Sequence, residues 1–506
     1  MNADNTKNFA ERIAETAPVK AYERARKSIS VVGKALAKRN SAPKILPSTF
    51  DYIRAPLSDH FTAGYGKACI LPSGIPQKKY YIAGYRVNNP AKGVLDPPYA
   101  CALWLNDNSG RGGMLFVSID NVGMLGSDVN ALRLYLSDFA RTTDCRSINI
   151  SSTHNHAGID TLGLWGPIPV SGRNPSYMKF LFEKVKQAAI SAYKDRKNGE
   201  LYYGSVRVPD IQRDTREPVV YSDVLTRFRF VPSGGGREIY IINFASHSES
   251  LQGSNSFVSA DFPGHIRNEI KRKAGAETIY FVGAIGGQIS TRPDGGDETK
   301  KQNGDFSEVC ENTGKYIASY ALSVTDEKKL SPRINFIRQE FYLDVENPIY
   351  LMAKAANIIK ADICRRAKSP TGMSLKTEMT YVEIGGVKIL FLPGELFPEL
   401  AYGGYLTAES SATGLSPGIN PEPLVKTAED DRLIVTGLTN DEVGYIIPPN
   451  DFFLSEDMPY IENAIDRLGR RHYEETNSVG PNAAEQIASV FADVINNVKS
   501  TKIRFK

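Results

Sequence analysis

Cysteine is scarce in this 506-residue chain, with five in all (Cys69, Cys101, Cys145, Cys310, Cys364), and no two form a Cys-x-x-Cys pair. That spacing argues against a disulfide framework and against a thiolate-ligated structural metal. No run of about 18 apolar residues is present, so no membrane-spanning helix is expected. The N-terminus lacks the apolar core of a secretory signal, and a cytoplasmic enzyme is the expectation. The chain holds no Gly-x-Gly-x-x-Gly, which excludes the common dinucleotide signature, and its glycine-rich stretch at 283–291 is neither a Gly-Lys-Ser/Thr loop nor a Gly-x-Ser-x-Gly elbow. A strong charge of either sign is missing too. The net charge of +4 is too small to indicate a nucleic-acid partner, and 41% hydrophobic with 23% charged residues is an ordinary globular composition.

What charge there is lies unevenly. Residues 1–50 carry ten Lys/Arg against four Asp/Glu, or +6, which leaves −2 for residues 51–506. Phe9, Ile13, Val19, Tyr22, Ile29, Val32 and Leu36 recur there at roughly helical spacing among basic residues. The segment reads as a helix packed on the body or a solvated arm, or as a basic amphipathic helix in which residues 1–45 lie on an anionic membrane surface. Residues 41–47 (SAPKILP) read as a linker, so residues 1–50 form an appendage and 51–506 the body.

From about residue 60 strands and helices alternate. Apolar runs predict strands at Met114–Asp120, Ser147–Ser152, Thr226–Val231, Glu238–Phe244, Thr278–Val282, Ile334–Leu343, Met379–Ile384, Val387–Leu392 and Leu433–Leu438. Helical spacing appears at Asp128–Ala140, Tyr177–Tyr193, Pro263–Lys273, Phe306–Leu322, Ile349–Ile363 and Asn482–Val498. The fold class is α/β, and the strand-rich stretch 334–392 argues for a mixed rather than a purely parallel sheet.

Of only six histidines, three stand out by their placement. His154 and His156, in Ser152-Thr-His-Asn-His-Ala-Gly158, follow the strand ending at Ser152; residues i and i+2 of an extended chain face one side, so both rings can converge on one point. Two surface histidines in a turn, or a hydrogen-bonded structural pair, are the alternatives. His247 follows another apolar strand, Glu395 follows VKILF through a Pro-Gly turn, and Tyr445 follows LIVTGL. Ligands gather beyond the carboxyl ends of strands in α/β sheets, and a His/His/Glu set suits zinc with a position left open for water. Ser290 ends a glycine-rich stretch, GAIGGQIS (283–290), next to backbone N–H groups.

These pieces together resemble the neutral, non-lysosomal ceramidases, a family of zinc-dependent amidohydrolases. The matching stretches are THNHAG (153–158), NFASHSESL (243–251), SADFPG (259–264), GAIGGQIS (283–290), LPGE (392–395), NDEVGY (440–445) and YEETNSVGP (473–481), in the family's order. The resemblance implies His154, His247, Glu395 and Tyr445 as Zn2+ ligands, His156 as a catalytic or substrate-binding histidine, and Ser290 as the active-site serine. It implies Arg216, in Thr215-Arg216-Glu217-Pro218, as the active-site arginine, with Arg213 as fallback. Gln288 stands where the family carries an acid beside the serine, Val479 where it carries an aromatic, and its C-terminal immunoglobulin-like domain is expected to be missing. The implied activity is cleavage of an N-acyl amide by water at the metal or by Ser290, with His156 moving protons and Arg216 or backbone N–H groups near Ser290 steadying the oxyanion. The partner would be a small-molecule or lipid N-acyl substrate, ceramide being the family's. Alternatives are an amidase or esterase acting on a smaller, more polar molecule, and a non-catalytic lipid-binding protein.

Overall fold

A computed structural model describes residues 42–209, 211–220, 222–287, 290–291 and 306–504 together with Lys27, of 290–291 and 502–504 the backbone alone. The basic N-terminal helix expected before residue 42 thus lies, apart from Lys27, outside the described residues, as do Gln288 and the Ser290 side chain.

Two mixed sheets face each other. The first is built from β1 (Phe61–Cys69), β2 (Tyr99–Asn106), β3 (Gly113–Ile119), β4 (Cys145–Ser152), β5 (Lys197–Arg207), β6 (Val224–Pro232), β7 (Ile239–Phe244) and β8 (Glu277–Val282), in the order β8-β7-β6-β5-β1-β2-β3-β4. Only its outermost pairs, β8 with β7 and β3 with β4, are parallel. The second contains β9 (Ile334–Asp344), β10 (Met373–Ile384), β11 (Val387–Phe391) and β12 (Ile434–Thr436), side by side in that order, with Thr49–Asp51 added on β9. The pairings are antiparallel except β11 with β12.

Strand β2 shows why both of its faces are apolar. Ala100, Ala102 and Trp104 point toward a helical layer, while Leu103 and Leu105 point toward the second sheet. A strand buried on both faces reads as a continuous apolar run rather than an alternation. The helical layers are α1 (Gly126–Tyr135), α2 (Pro175–Asp195), α3 (Asp261–Ala274) and α4 (Ser307–Ser323) over the first sheet, and α5 (Pro348–Ala355) and α6 (Ala483–Arg504) on the second. Asn174 caps α2, its side-chain oxygen accepting from the N–H groups of Ser176 and Tyr177. Between the sheets Phe116 stacks on Phe391 at 5.7 Å and Phe281 meets the same ring edge-on at 6.3 Å. The result is a helix–sheet–sheet–helix sandwich of mixed α/β class, as the sequence implies.

The differences are local. The helix expected at 128–140 breaks at Leu136, and the one expected at 349–363 stops at Ala355, where Asn357 takes φ 57°. Strand β10 begins at Met373, six residues before the expected start. Strands β1, β2 and β5 fall outside the predicted ones; glycine and polar residues interrupt β1 and β5, and their pairing comes from distant strands.

The first sheet curls so that its two edges meet. Ser118 on β3 donates to the carbonyl of Tyr280 on β8 at 2.6 Å. Residues 437–440 then lace the gap: Gly437 N–H donates to Val282, Asn440 N–H to Ile150 and Thr439 N–H to Leu392, while Leu438 accepts from Ser152. This brings the carboxyl ends of β4, β7, β8 and β11 to one place.

Candidate metal centre

His154, His156 and His247 arrive at that place from two loops locked together. His156 N–H donates to the Ser248 carbonyl at 2.9 Å, and Asn155 pairs with Ser248 as an isolated bridge. Glu395 comes from the Pro-Gly turn after β11; its N–H donates to Gly444, which sets Glu395 beside Tyr445 in a two-residue parallel ladder.

One carboxylate oxygen is the focus. Oε2 of Glu395 lies 3.2 Å from His154 Nε2 and 3.1 Å from His247 Nε2, and His154 Nε2 lies 3.0 Å from His156 Nε2. Four donors around a zinc ion at about 2.0–2.1 Å sit about 3.3 Å apart, so these separations are those of a ligand cage. The three histidines alone could hold a metal ion, their ligand atoms lying within 4.8 Å of one another. The tautomer suits this. His154 donates from Nδ1 to the Val122 carbonyl at 2.8 Å, which leaves the Nε2 lone pair free to ligate. Buried Nδ1 atoms of His156 and His247 have no hydrogen-bond partner, an arrangement costly for plain core histidines.

Electrostatics follow the same grouping. Burial disfavours charge on His154, yet Glu395 beside it overrides burial and lifts its pKa to about 9. Burial would raise Glu395, but His154 and His247 hold it well below the usual carboxylate range. His156 is pushed well down by burial and by its two histidine neighbours, so it is neutral with a lone pair available to ligate. A bound cation would itself become the largest charge here.

Around His156 the wall is close. Tyr85 meets its ring edge-on at 5.0 Å and donates from its hydroxyl to Glu249 Oε2 at 2.7 Å, and that oxygen is 3.8 Å from His156 Nδ1. Gly84 has φ 105°, and a Cβ there would sit 2.5 Å from His156 Cγ, so only glycine fits.

Of the other expected residues, Tyr445 reaches Tyr473, hydroxyl to hydroxyl at 3.5 Å, with its ring against Phe397. The Ser290 loop is seated on the Glu395 segment: Gly286 N–H donates to the Leu396 carbonyl, and Ser290 pairs backbone to backbone with Arg213. Arg216 sits elsewhere in character. Its guanidinium donates to Asp451, Glu474, Glu475 and His472 Nδ1 at 2.7–3.2 Å and lies over the Phe397 ring. The donors expected to face an oxyanion are thus engaged with a buried acid cage. Two residues that face the site were not singled out by the sequence. Glu249, within the HSES stretch, lacked any spacing cue; Glu442, buried near Glu395 and pushed up in pKa first by burial and then by that neighbour, sits in the NDEVGY stretch itself.

No family model matches the sequence, and no curated protein matches it. Solved structures do match in shape. Neutral ceramidase from Pseudomonas aeruginosa superposes with a TM-score of 0.64 over 88% of this chain and 75% of that one, at 14% identity. The chain has the neutral ceramidase fold. A ceramidase complexed with C2 gives 0.63 over 88% and 76%, again at 14% identity. At that identity the likeness speaks for the fold, and chemistry has to be argued from the side chains.

Proposed function

We propose that this neutral-ceramidase-fold protein is a zinc-dependent amidohydrolase that cleaves the amide bond of an N-acylated lipid resembling ceramide, releasing a fatty acid and an amine. The observation that carries the proposal is the meeting of His154 and His247 Nε2 on Glu395 Oε2, with His156 Nε2 at 3.0 Å from His154, at the strand ends of this fold. A lipid-binding module without catalysis has no need for such a set.

His154, His247 and Glu395 would hold the ion, with the Tyr445 hydroxyl completing the set. Bound zinc supplies Lewis acidity, polarising a carbonyl and lowering the pKa of water toward about 7. The remaining chemistry belongs to the chain. Neutral His156 takes the proton from the attacking hydroxyl, of water or of Ser290, at Nε2 and returns it to the amide nitrogen as the C–N bond breaks. Backbone N–H groups near Ser290 would steady the developing oxyanion. Arg216, its donors held by carboxylates, positions the Tyr473–Glu475 segment against Tyr445. A smaller, more polar amide or ester is the competing substrate class. Metal analysis, chelation and a substrate panel of long-chain N-acyl lipids against short N-acyl amino compounds test the reading: activity on the long-chain amides, lost on chelation, is expected, and inertness toward every long-chain amide would overturn the lipid assignment.

A further inference from the structure

Tyr85 is both a wall of the metal centre, through His156, and 37% exposed at the surface. It begins a patch that the hydrolysis chemistry leaves unused. Beyond it Val87, Val94 and Leu95 stand exposed on one loop, Ile168 and Val170 on a second, at 72% and 61%, and Phe257 on a third. Backbone contacts make the three loops one surface. Asn88 N–H donates to the Trp165 carbonyl, Lys92 N–H to Ser256 and Leu95 N–H to Val258, and Phe257 lies on Gly93. Exposed aliphatic side chains so grouped mark an interaction surface.

The exposed charge around them is basic, because the flanking Asp96 and Glu249 are turned inward, Asp96 accepting from Ser259 and Ala260 and Glu249 from Tyr85. From His60 to Leu95, from Thr161 to Asn174 and from Ser250 to Val258 the chain contains no Asp or Glu. Lys78, Lys79, Arg86 and Lys92 are exposed on the first of these stretches, and none has a carboxylate within ion-pair distance among the described residues. Two copies of this face brought together would set those cations against one another, which disfavours a self-pairing dimer. Apolar side chains ringed by unpaired cations fit the interface of an anionic bilayer, where the side chains enter the acyl boundary and Lys/Arg meet the headgroups.

We infer that the loops around Tyr85 dock this protein on an anionic lipid surface with the metal centre facing the bilayer. The purpose of the docking rests on the lipid-substrate reading above, but the docking itself is measured without substrate. Trp165 is a built-in probe, since it lies in the second loop while the other tryptophan, Trp104, is buried beneath α2.

The full chain is mixed with vesicles of phosphatidylcholine alone or with phosphatidylserine, none containing an N-acyl amide. Expected is a blue shift of tryptophan emission and co-sedimentation with the anionic vesicles only. Ile168→Ser with Val170→Ser, both at exposed sites that leave folding intact, should weaken partitioning by at least about tenfold, and Lys92→Gln by about fivefold. Equal binding to neutral vesicles, or an unchanged partition and emission shift in the double variant, overturns the inference. So does a concentration-dependent dimer in sedimentation that the double variant abolishes, which would make the patch a protein interface. If docking holds while every amide tested stays intact, the function proposed above fails and this one stands.

Discussion

Glu395 and Tyr445, fifty residues apart in sequence, are neighbours in a two-residue parallel ladder, Glu395 N–H donating to Gly444 at 3.0 Å and Phe397 N–H to Ile446 at 3.1 Å. Neither stretch is long enough to be a strand of a main sheet. Their partner is each other, and the ladder exists because residues 437–440 fill the gap where the first sheet closes. The carboxylate is therefore placed by backbone hydrogen bonds before any ion binds. That is the preorganisation a metal site requires.

Metal content should follow this geometry. His154→Ala and His247→Ala are each expected to lose zinc, and Glu395→Gln to weaken binding by at least about tenfold, as losses around metal ligands do. Elemental analysis of the purified variants reads the outcome. Stoichiometric zinc in His154→Ala would remove His154 from the ligand set.

His156 separates two roles. If it moves protons, His156→Ala keeps its zinc and loses hydrolysis by about 10²–10⁴-fold; if it ligates, zinc leaves with activity. Gly84→Ala should act through the same ring, because a Cβ would press within 2.5 Å of His156 Cγ at a backbone φ of 105°. Its expected signature is a large fall in activity with zinc retained, read by pairing elemental analysis with hydrolysis of one amide.

The sequence made the strand-end residues legible because each follows a dense apolar run: SINISS before His154, IYIINF before His247, VKILF before Glu395. Their shared placement beyond strand ends suggested one site, but the path by which they meet was not legible, since the curl of the first sheet depends on contacts such as Ser118 with Tyr280, 162 residues apart, that leave no periodic trace. The setting of Arg216 was not legible at all. An arginine next to an X-Pro step looks the same whether it faces a substrate or, as here, a cage of Asp451, Glu474 and Glu475 gathered from 235 or more residues away. Helix ends were misjudged where a polar residue with positive φ, such as Asn357, stops a pattern that apolar spacing alone would continue.

Arg216 thus carries a stability prediction. Arg216→Met leaves several buried carboxylates without their cation, and breaking a buried ion network from one side costs about 3–5 kcal/mol. Arg216→Lys should not rescue it, because an ammonium cannot reproduce the fork that meets Asp451 and Glu475 together. Denaturant midpoints check this. An unchanged midpoint with lost hydrolysis would instead favour the oxyanion role that the family resemblance assigns to Arg216.

Glu399 sets a pH dependence. It lies in the short helix Pro398–Tyr402, one carboxylate oxygen is buried with no partner, and burial, then the neighbouring Asp214, pushes its pKa up to about 8 from 4.5. Between those two values the folded chain keeps a proton that the unfolded chain has released. Stability therefore falls as pH rises across that window, being full below about 4.5 and lost by about 8. Glu399→Gln, nearly isosteric and uncharged, removes that slope. The variant should match the parent near pH 4 and exceed it at pH 7 by about 3 kcal/mol, at about 1.4 kcal/mol for each pH unit above the unfolded pKa. Denaturant unfolding of both proteins from pH 4 to 8 measures the difference. A difference between the two proteins that does not grow as pH rises over that range would show that Glu399 is ionised in the folded state, and would require a counter-charge beside it.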